Sequence, residues 1–172
     1  VGGRSYGNQI LHALLLQKEK YRIIVTDADS FSFGLYETPH RYLIPFAGDP
    51  NYLSAIQRII EREKLDAIFP GTEAENFTLT KNVNLIESMD CKVITSPFET
   101  IQLCDNKAKL NSWLEHKGFH TPHTVDVSHW QELTSEKGFP IIAKPTIHTG
   151  GSKNVAILKN EKEIEQCLDY KP

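Results

Sequence analysis

The 172-residue sequence predicts an α/β fold, a parallel sheet flanked by helices and continued by a smaller α+β segment. Helical and strand-like stretches alternate from Ser5 to Ser96, and such alternation builds a parallel sheet with helices on both faces. The strand-like stretches close on an acid or on chain breakers, at Asp27, Pro70-Gly71 and Ser96-Pro97. Beyond Thr121-Pro122 two short apolar runs flank a glycine turn, which reads as a hairpin.

Taken in order, Ser5 to Lys18 sets Ile10, Leu11, Leu14 and Leu15 on one stripe and predicts the first helix. Tyr21 to Asp27 is a β-branched run and predicts a strand, and Arg41 to Pro45 a short extended piece. Asn51 is placed to cap a helix that carries Leu53, Ile56, Ile59 and Ile60. Asp66 to Gly71 predicts a buried strand, 73–89 a single helix, and Lys92 to Thr95 another strand. From Phe98 a helical pair runs through Leu103 and then Lys107 to Lys117, ending at Gly118 as a C-terminal glycine does. Thr124 to Val127 is extended and Trp130 to Lys137 helical. Phe139 to Pro145 and Val155 to Leu158 form the hairpin strands, and Asn160 caps a last helix through Leu168.

Composition narrows the function. Hydrophobic residues make up 40% and charged residues 24%, as in ordinary soluble proteins. A net charge of −3 argues against a general affinity for nucleic acid or anionic membranes. No apolar run approaches the roughly 20 residues that span a bilayer. Val1-Gly2-Gly3-Arg4 has none of the features of a signal peptide, so the cytoplasm is the expected location. Cys91, Cys104 and Cys167 are odd in number and far apart, which fits reduced packing thiols rather than a zinc site or a disulfide framework. The chain lacks an initiator Met and opens on a glycine turn, so a fragment of a longer polypeptide is expected.

The strongest local chemistry is Gly150-Gly151-Ser152-Lys153 at the hairpin turn. Glycines let backbone N–H groups turn toward an anion, and the Ser hydroxyl and Lys ammonium add donors and charge. Lys144 ends the apolar strand before the turn, where alternation aims its ammonium at whatever the turn holds; a solvated strand-end lysine is the plainer alternative. Glu73 and Glu75 follow Pro70-Gly71 at a strand end, where α/β sheets bind ligands. They line a substrate cleft facing an amine, or they are first-turn acids favoured by the helix dipole. His116, His120 and His123 have metal-like intervals, but Gly118 and Pro122 break the helix that would align them. Gly2-Gly3-Arg4-Ser5-Tyr6-Gly7 departs from GxGxxG, which leaves NAD as the weaker nucleotide reading.

The order of motifs gives a family. Asp105-Asn106-Lys107, Gly118 to Pro122, Pro140 to Pro145 and Thr149 to Val155 together resemble the opening of the ATP-grasp fold. Asp66 to Glu73, followed by Ser96 to Thr100, is similar to the Rossmann-like pre-ATP-grasp domain of carbamoyl-phosphate-synthase relatives. The resemblance implies a pre-ATP-grasp domain over 1–96, linking helices over 97–121, and part of an ATP-grasp N-terminal subdomain over 122–172. It implies that Lys107 and Lys144 contact the phosphates of ATP and that Thr149, Gly150, Gly151, Ser152 and Lys153 fold over them. It further implies an ATP-dependent ligase that joins a carboxylate to ammonia or an amine through an acyl phosphate. The Mg²⁺ ligands of such enzymes are expected beyond Pro172, so no metal is assigned within this chain and the fragment alone is expected to be inactive. A homodimer is compatible with the resemblance. Asn106 between Asp105 and Lys107, and His148 and Asn154 around the loop, depart from the family pattern. Two other readings stay open: a non-catalytic nucleotide- or substrate-sensing module, and an NAD-dependent reductase built on the Gly3 turn.

Overall fold

β-Branched residues that alternate between two apolar surroundings make the first strand. In a computed structural model, which describes residues 5–147 and 154–169, Ile24 packs into one core cluster while Ile23 and Val25 pack into another. That two-residue period is the signature of a strand covered on both faces. The chain forms two compact units, residues 1–101 and residues 102–172.

In the first unit, helix α1 (Ser5–Leu15) leads to strand β1 (Val25–Asp27), which pairs in parallel with β2 (Arg41–Leu43) in the register Val25–Arg41 to Asp27–Leu43. A 3₁₀ turn over Phe33–Tyr36 joins them. Helix α2 (Tyr52–Glu63) returns to β3 (Ala67–Ile68), which pairs in parallel with β4 (Lys92–Val93). Between these strands lie α3 (Glu73–Lys81) and α4 (Val83–Glu87). Among the described residues the parallel strands form two separate pairs, where the sequence suggested one sheet.

The elements follow from their residues. The α2 stripe Tyr52, Ala55, Ile56, Ile59 and Ile60 is buried and meets Leu79, Ile86 and Val93 in the larger cluster. Asn51 stands at the head of α2, but its side chain makes no cap bond; instead its N–H donates to Asp49 Oδ1 at 2.7 Å. The helix expected over 73–89 is two helices. Asn82 leaves helical geometry, and its side-chain amide donates to Thr78 O at 2.8 Å, which diverts the chain. Leu79 and Ile86, one on each side of that break, are fully buried. The strands are shorter than their apolar runs. Tyr21 and Arg22 are exposed, and the Arg22 guanidinium reaches the Glu63 carboxylate at 2.7 Å, outside any ladder.

The second unit begins within α5 (Phe98–Asp105) and continues as α6 (Lys107–His116). The expected stop at Gly118 is present, with φ of +82°. Gly118 N–H donates to Glu115 O at 2.9 Å and Phe119 N–H to Leu114 O at 3.0 Å, the paired bonds of a Schellman ending. A 3₁₀ turn at Val127–His129 runs into α7 (Trp130–Lys137). Strands β5 (Ile141–Ala143) and β6 (Ala156–Leu158) pair antiparallel, Ile142 opposite Ile157. Helix α8 (Glu161–Asp169) follows. Asn160 caps it as expected: its Oδ1 accepts from Glu163 N–H at 3.1 Å, while Glu163 Oε2 accepts from Lys159 N–H at 2.8 Å.

Candidate functional site

The lysines singled out by sequence lie in the second unit. Asn106 sets the start of α6, its Oδ1 accepting from Lys109 N–H at 2.9 Å. Asn106 therefore fixes the first turn on which Lys107 stands. Lys107 is half-buried, and its N–H donates to Thr146 O at 2.9 Å. That bond ties the head of α6 to the segment that leaves β5 two residues after Lys144.

Lys144 is exposed. Strand alternation puts it on the same face as Ile142, which is 65% exposed, rather than with the half-buried Ile141 and Ala143. Ile157, opposite Ile142, is 61% exposed, so one face of the hairpin is an open apolar surface with an ammonium at its end. Thr149, Gly150, Gly151, Ser152 and Lys153 lie outside the described residues, as do Gly2, Gly3 and Arg4.

In the first unit, the two acids after β3 have different surroundings. Glu73 is exposed. Glu75 is buried, and its carboxylate accepts from Gly71 N–H at 3.1 Å, Thr72 Oγ1 at 3.2 Å and Tyr52 Oη at 3.4 Å. Thr72 Oγ1 accepts in turn from Glu75 N–H at 3.2 Å, which caps α3. Burial raises the Tyr52 phenol well above the ordinary tyrosine range, and the Glu75 charge adds to the rise, so Tyr52 is a neutral donor here. Thr72 ahead of a helical stretch is the sequence signal for this cap. Tyr52, the deeply buried donor, had no such signal.

At the end of β1, Asp27 Oδ1 accepts from Asp29 N–H at 2.9 Å and Oδ2 from Ser32 Oγ at 2.6 Å, which shapes the turn that follows. At the end of β4, Thr95 Oγ1 donates to Asn76 Oδ1. His123, one of the spaced histidines, has Nδ1 2.9 Å from Glu136 Oε2. Among the described residues no three metal-ligating side chains gather.

Parallel strand pairs followed by an antiparallel hairpin define a mixed α/β class. Among solved structures, N5-carboxyaminoimidazole ribonucleotide synthetase from Thermotoga maritima matches with a TM-score of 0.65 and 21% identity, covering 100% of this chain and 42% of that one. Biotin carboxylase from Campylobacter jejuni, in a complex with β,γ-ATP, matches with a TM-score of 0.63 and 24% identity, covering 91% of this chain and 36% of that one. The chain belongs to the PylC-like N-terminal domain family, which matches residues 3–94. A curated relative, the carbamoyl phosphate synthase large chain of Thermoplasma acidophilum, is 27% identical over 158 residues, 88% of this chain. This chain spans about 15% of that relative's length.

Proposed function

We propose that residues 1–172 form the front of an ATP-dependent ligase that joins a carboxylate to ammonia or an amine, with Lys107 and Lys144 on the phosphates of ATP. The observation that carries the reading is the bond from Lys107 N–H to Thr146 O, 2.9 Å. It fastens the head of α6 beside the exit of β5, so two lysines distant in sequence belong to one neighbourhood. An ammonium at the rim of the exposed Ile142–Ile157 face suits a nucleotide, whose base is apolar and whose phosphates are anionic. Thr149 to Lys153 would close over the phosphates through backbone N–H groups.

The division we assign is a pre-ATP-grasp domain over 1–96, linking helices over 97–121 and the start of the ATP-grasp fold over 122–172. Within the first, Glu73 is the acid we assign to the substrate cleft, while Glu75 holds the turn from which Glu73 projects. Bound ATP supplies the phosphoryl group that activates the carboxylate, with Mg²⁺ neutralising its charge. The lysines position the phosphate chain and offset its negative charge. The Mg²⁺ ligands are assigned to polypeptide beyond residue 172, so the 172-residue chain is expected to release no ADP from ATP. Turnover by this chain that is abolished by Lys144→Ala would overturn that assignment.

Calorimetric titration of ATP into the intact protein tests the site. Lys107→Ala and Lys144→Ala should each weaken binding by about 1.5–3 kcal/mol, the scale of a charge-assisted contact. Arg4→Ala should leave it unchanged. Normal affinity in both lysine variants, or loss of binding in Arg4→Ala, would overturn the site and favour a nucleotide at the Gly3 turn.

A further inference from the structure

Asn76 stands near the start of α3, where its N–H donates to Thr72 O at 2.9 Å. Its side chain is half-buried and is held by its oxygen. Thr95, two residues past β4, donates from Oγ1 to Asn76 Oδ1. Thr80, buried and one turn further along α3, has its Oγ1 3.5 Å from the same oxygen and 3.4 Å from Thr95 Oγ1. A carboxamide whose oxygen is engaged by such hydroxyls cannot rotate without losing them. Its nitrogen is therefore fixed pointing away from the two threonines, and it meets no acceptor among the described residues.

Three residues earlier on the same helix, Glu73 is exposed. Neighbours at i and i+3 share a helix face, with Cβ atoms about 5–6 Å apart, so Glu73 and Asn76 stand together. Glu75 offers nothing to a ligand, because its carboxylate is engaged by Gly71, Thr72 and Tyr52. Phe98 packs on Phe77 with ring centroids 5.3 Å apart, which folds the chain beyond Thr95 against α3. All these residues belong to the first unit. A fixed amide donor and a carboxylate thus sit side by side at the carboxyl ends of the parallel strands β3 and β4, where α/β sheets bind their ligands.

Resting on the ligase reading above, we propose that Glu73 and Asn76 are the recognition pair for an α-amino acid. The Glu73 carboxylate takes its ammonium, and the Asn76 amide donates to its α-carboxylate. An α-amino acid carries both groups on one carbon, so both come within reach of two side chains one helical turn apart. A simple amine would leave the amide donor unmet. A simple carboxylate would meet the Glu73 charge with no cation to offset it. The donor is set before the ligand arrives, so no side-chain ordering opposes binding at Asn76. Thr95 is a positioning residue: it touches no ligand and acts by holding the amide oxygen.

The test is ligand-observed NMR on the intact protein with the common amino acids in L and D forms, followed by titration of whichever binds and of its α-amide. At least one amino acid should bind, and more tightly than its amide. Asn76→Asp keeps the inner oxygen for Thr80 and Thr95 and replaces only the outward nitrogen by an anionic oxygen. It should weaken the amino acid by about tenfold or more and reverse the preference in favour of the amide. Glu73→Gln should weaken both ligands by about tenfold and leave their order unchanged. Thr95→Val should weaken the amino acid, and Thr95→Ser should restore it. Binding of no amino acid, an unreversed preference in folded Asn76→Asp, or unchanged affinity in Glu73→Gln overturns the proposal. If Asn76→Asp does not fold, Glu73→Gln and the Thr95 pair decide, and unchanged affinity in either Glu73→Gln or Thr95→Val overturns it. ATP titration of the parent and of Lys144→Ala judges the ligase reading separately. Amino-acid binding with these dependences in a protein that binds no ATP would sink the ligase reading and leave this site standing. ATP binding with no amino acid bound would do the reverse.

Discussion

Glu63 shows how one side chain closes the first unit at the end of α2. Its carboxylate accepts from Tyr42 Oη and, at 2.7 Å, from the Arg22 guanidinium, while Arg62 lies 5.7 Å over the Tyr42 ring. The Tyr42 hydrogen bond, followed by the contacts with Arg22 and Arg62, holds the Glu63 carboxyl below the usual glutamate range. A carboxyl lowered in the folded state stabilises above its unfolded pKa, about 4.3, and that contribution is lost as pH falls through the folded value. Tyr42→Phe should therefore lower Tm at neutral pH, and its difference from the parent should shrink as the solution is acidified below pH 4. A difference constant across that range would mean that Tyr42 acts by packing alone. The cysteines divide in a similarly local way. Cys91 is buried, and burial, with the Asp66 charge adding, pushes its thiol up to about 11, whereas Cys104 is exposed. An aromatic disulfide reagent should label Cys104 in the native protein and Cys91 only after unfolding, which mass spectrometry of the labelled peptides would read directly.

At the scale of elements, the ends of helices carry much of the specification. Thr72 caps α3 through Glu75 N–H, and Thr72→Ala should cost about 1 kcal/mol in denaturant unfolding, with Asn106→Ala and Asn160→Ala of similar size. Lys64 ends α2 in the left-handed region, φ 53° and ψ 59°, where a side chain is strained. Lys64→Gly should therefore raise stability by up to about 1 kcal/mol. These ends also show what was legible in the sequence. Gly118 and Asn160 announced their helix ends, because a left-handed turn and an Asx cap each demand particular residue types. The hairpin was legible for the same reason, since two apolar runs around glycines leave few alternatives. The break at Asn82 was not, because Leu79 and Ile86 keep seven-residue spacing across it and the periodicity reads as one helix. Glu75 was read as either a cleft acid or a first-turn acid, and the bond that its carboxylate accepts from Tyr52 is a tertiary contact that no local pattern encodes. The strand lengths escaped as well, because pairing depends on the partner: the run Tyr21 to Asp27 forms a ladder only where Arg41 to Leu43 lies beside it. Of the proposed nucleotide site, the sequence offered Lys107 and Lys144 by motif order. The bond between Lys107 and Thr146 is a tertiary contact that no local pattern encodes.

The two units differ in how much apolar surface they hide, and the difference predicts how the molecule comes apart. Residues 1–101 contain both core clusters, the larger built on Tyr52, Ile56, Ile60, Leu79 and Ile86. Among the described residues of 102–172, the buried hydrophobic side chains are Leu158 and Ile164, and both faces of the β5–β6 hairpin are at least partly open. Burial is the dominant stabilising term, so the second unit should open at lower denaturant than the first. The chain carries its own reporter for this. Its two tryptophans, Trp113 and Trp130, both lie in the second unit. Tryptophan fluorescence should accordingly lose its native signal at a lower urea concentration than far-UV circular dichroism, to which helices of both units contribute. Two substitutions assign the steps. Leu79→Ala removes a fully buried side chain from the larger cluster and should weaken the later transition by about 2–5 kcal/mol, leaving the fluorescence midpoint in place. Ile164→Ala removes a fully buried side chain from α8 and should move the fluorescence midpoint alone. If fluorescence and circular dichroism change together in the parent and shift together in both variants, the units unfold as one.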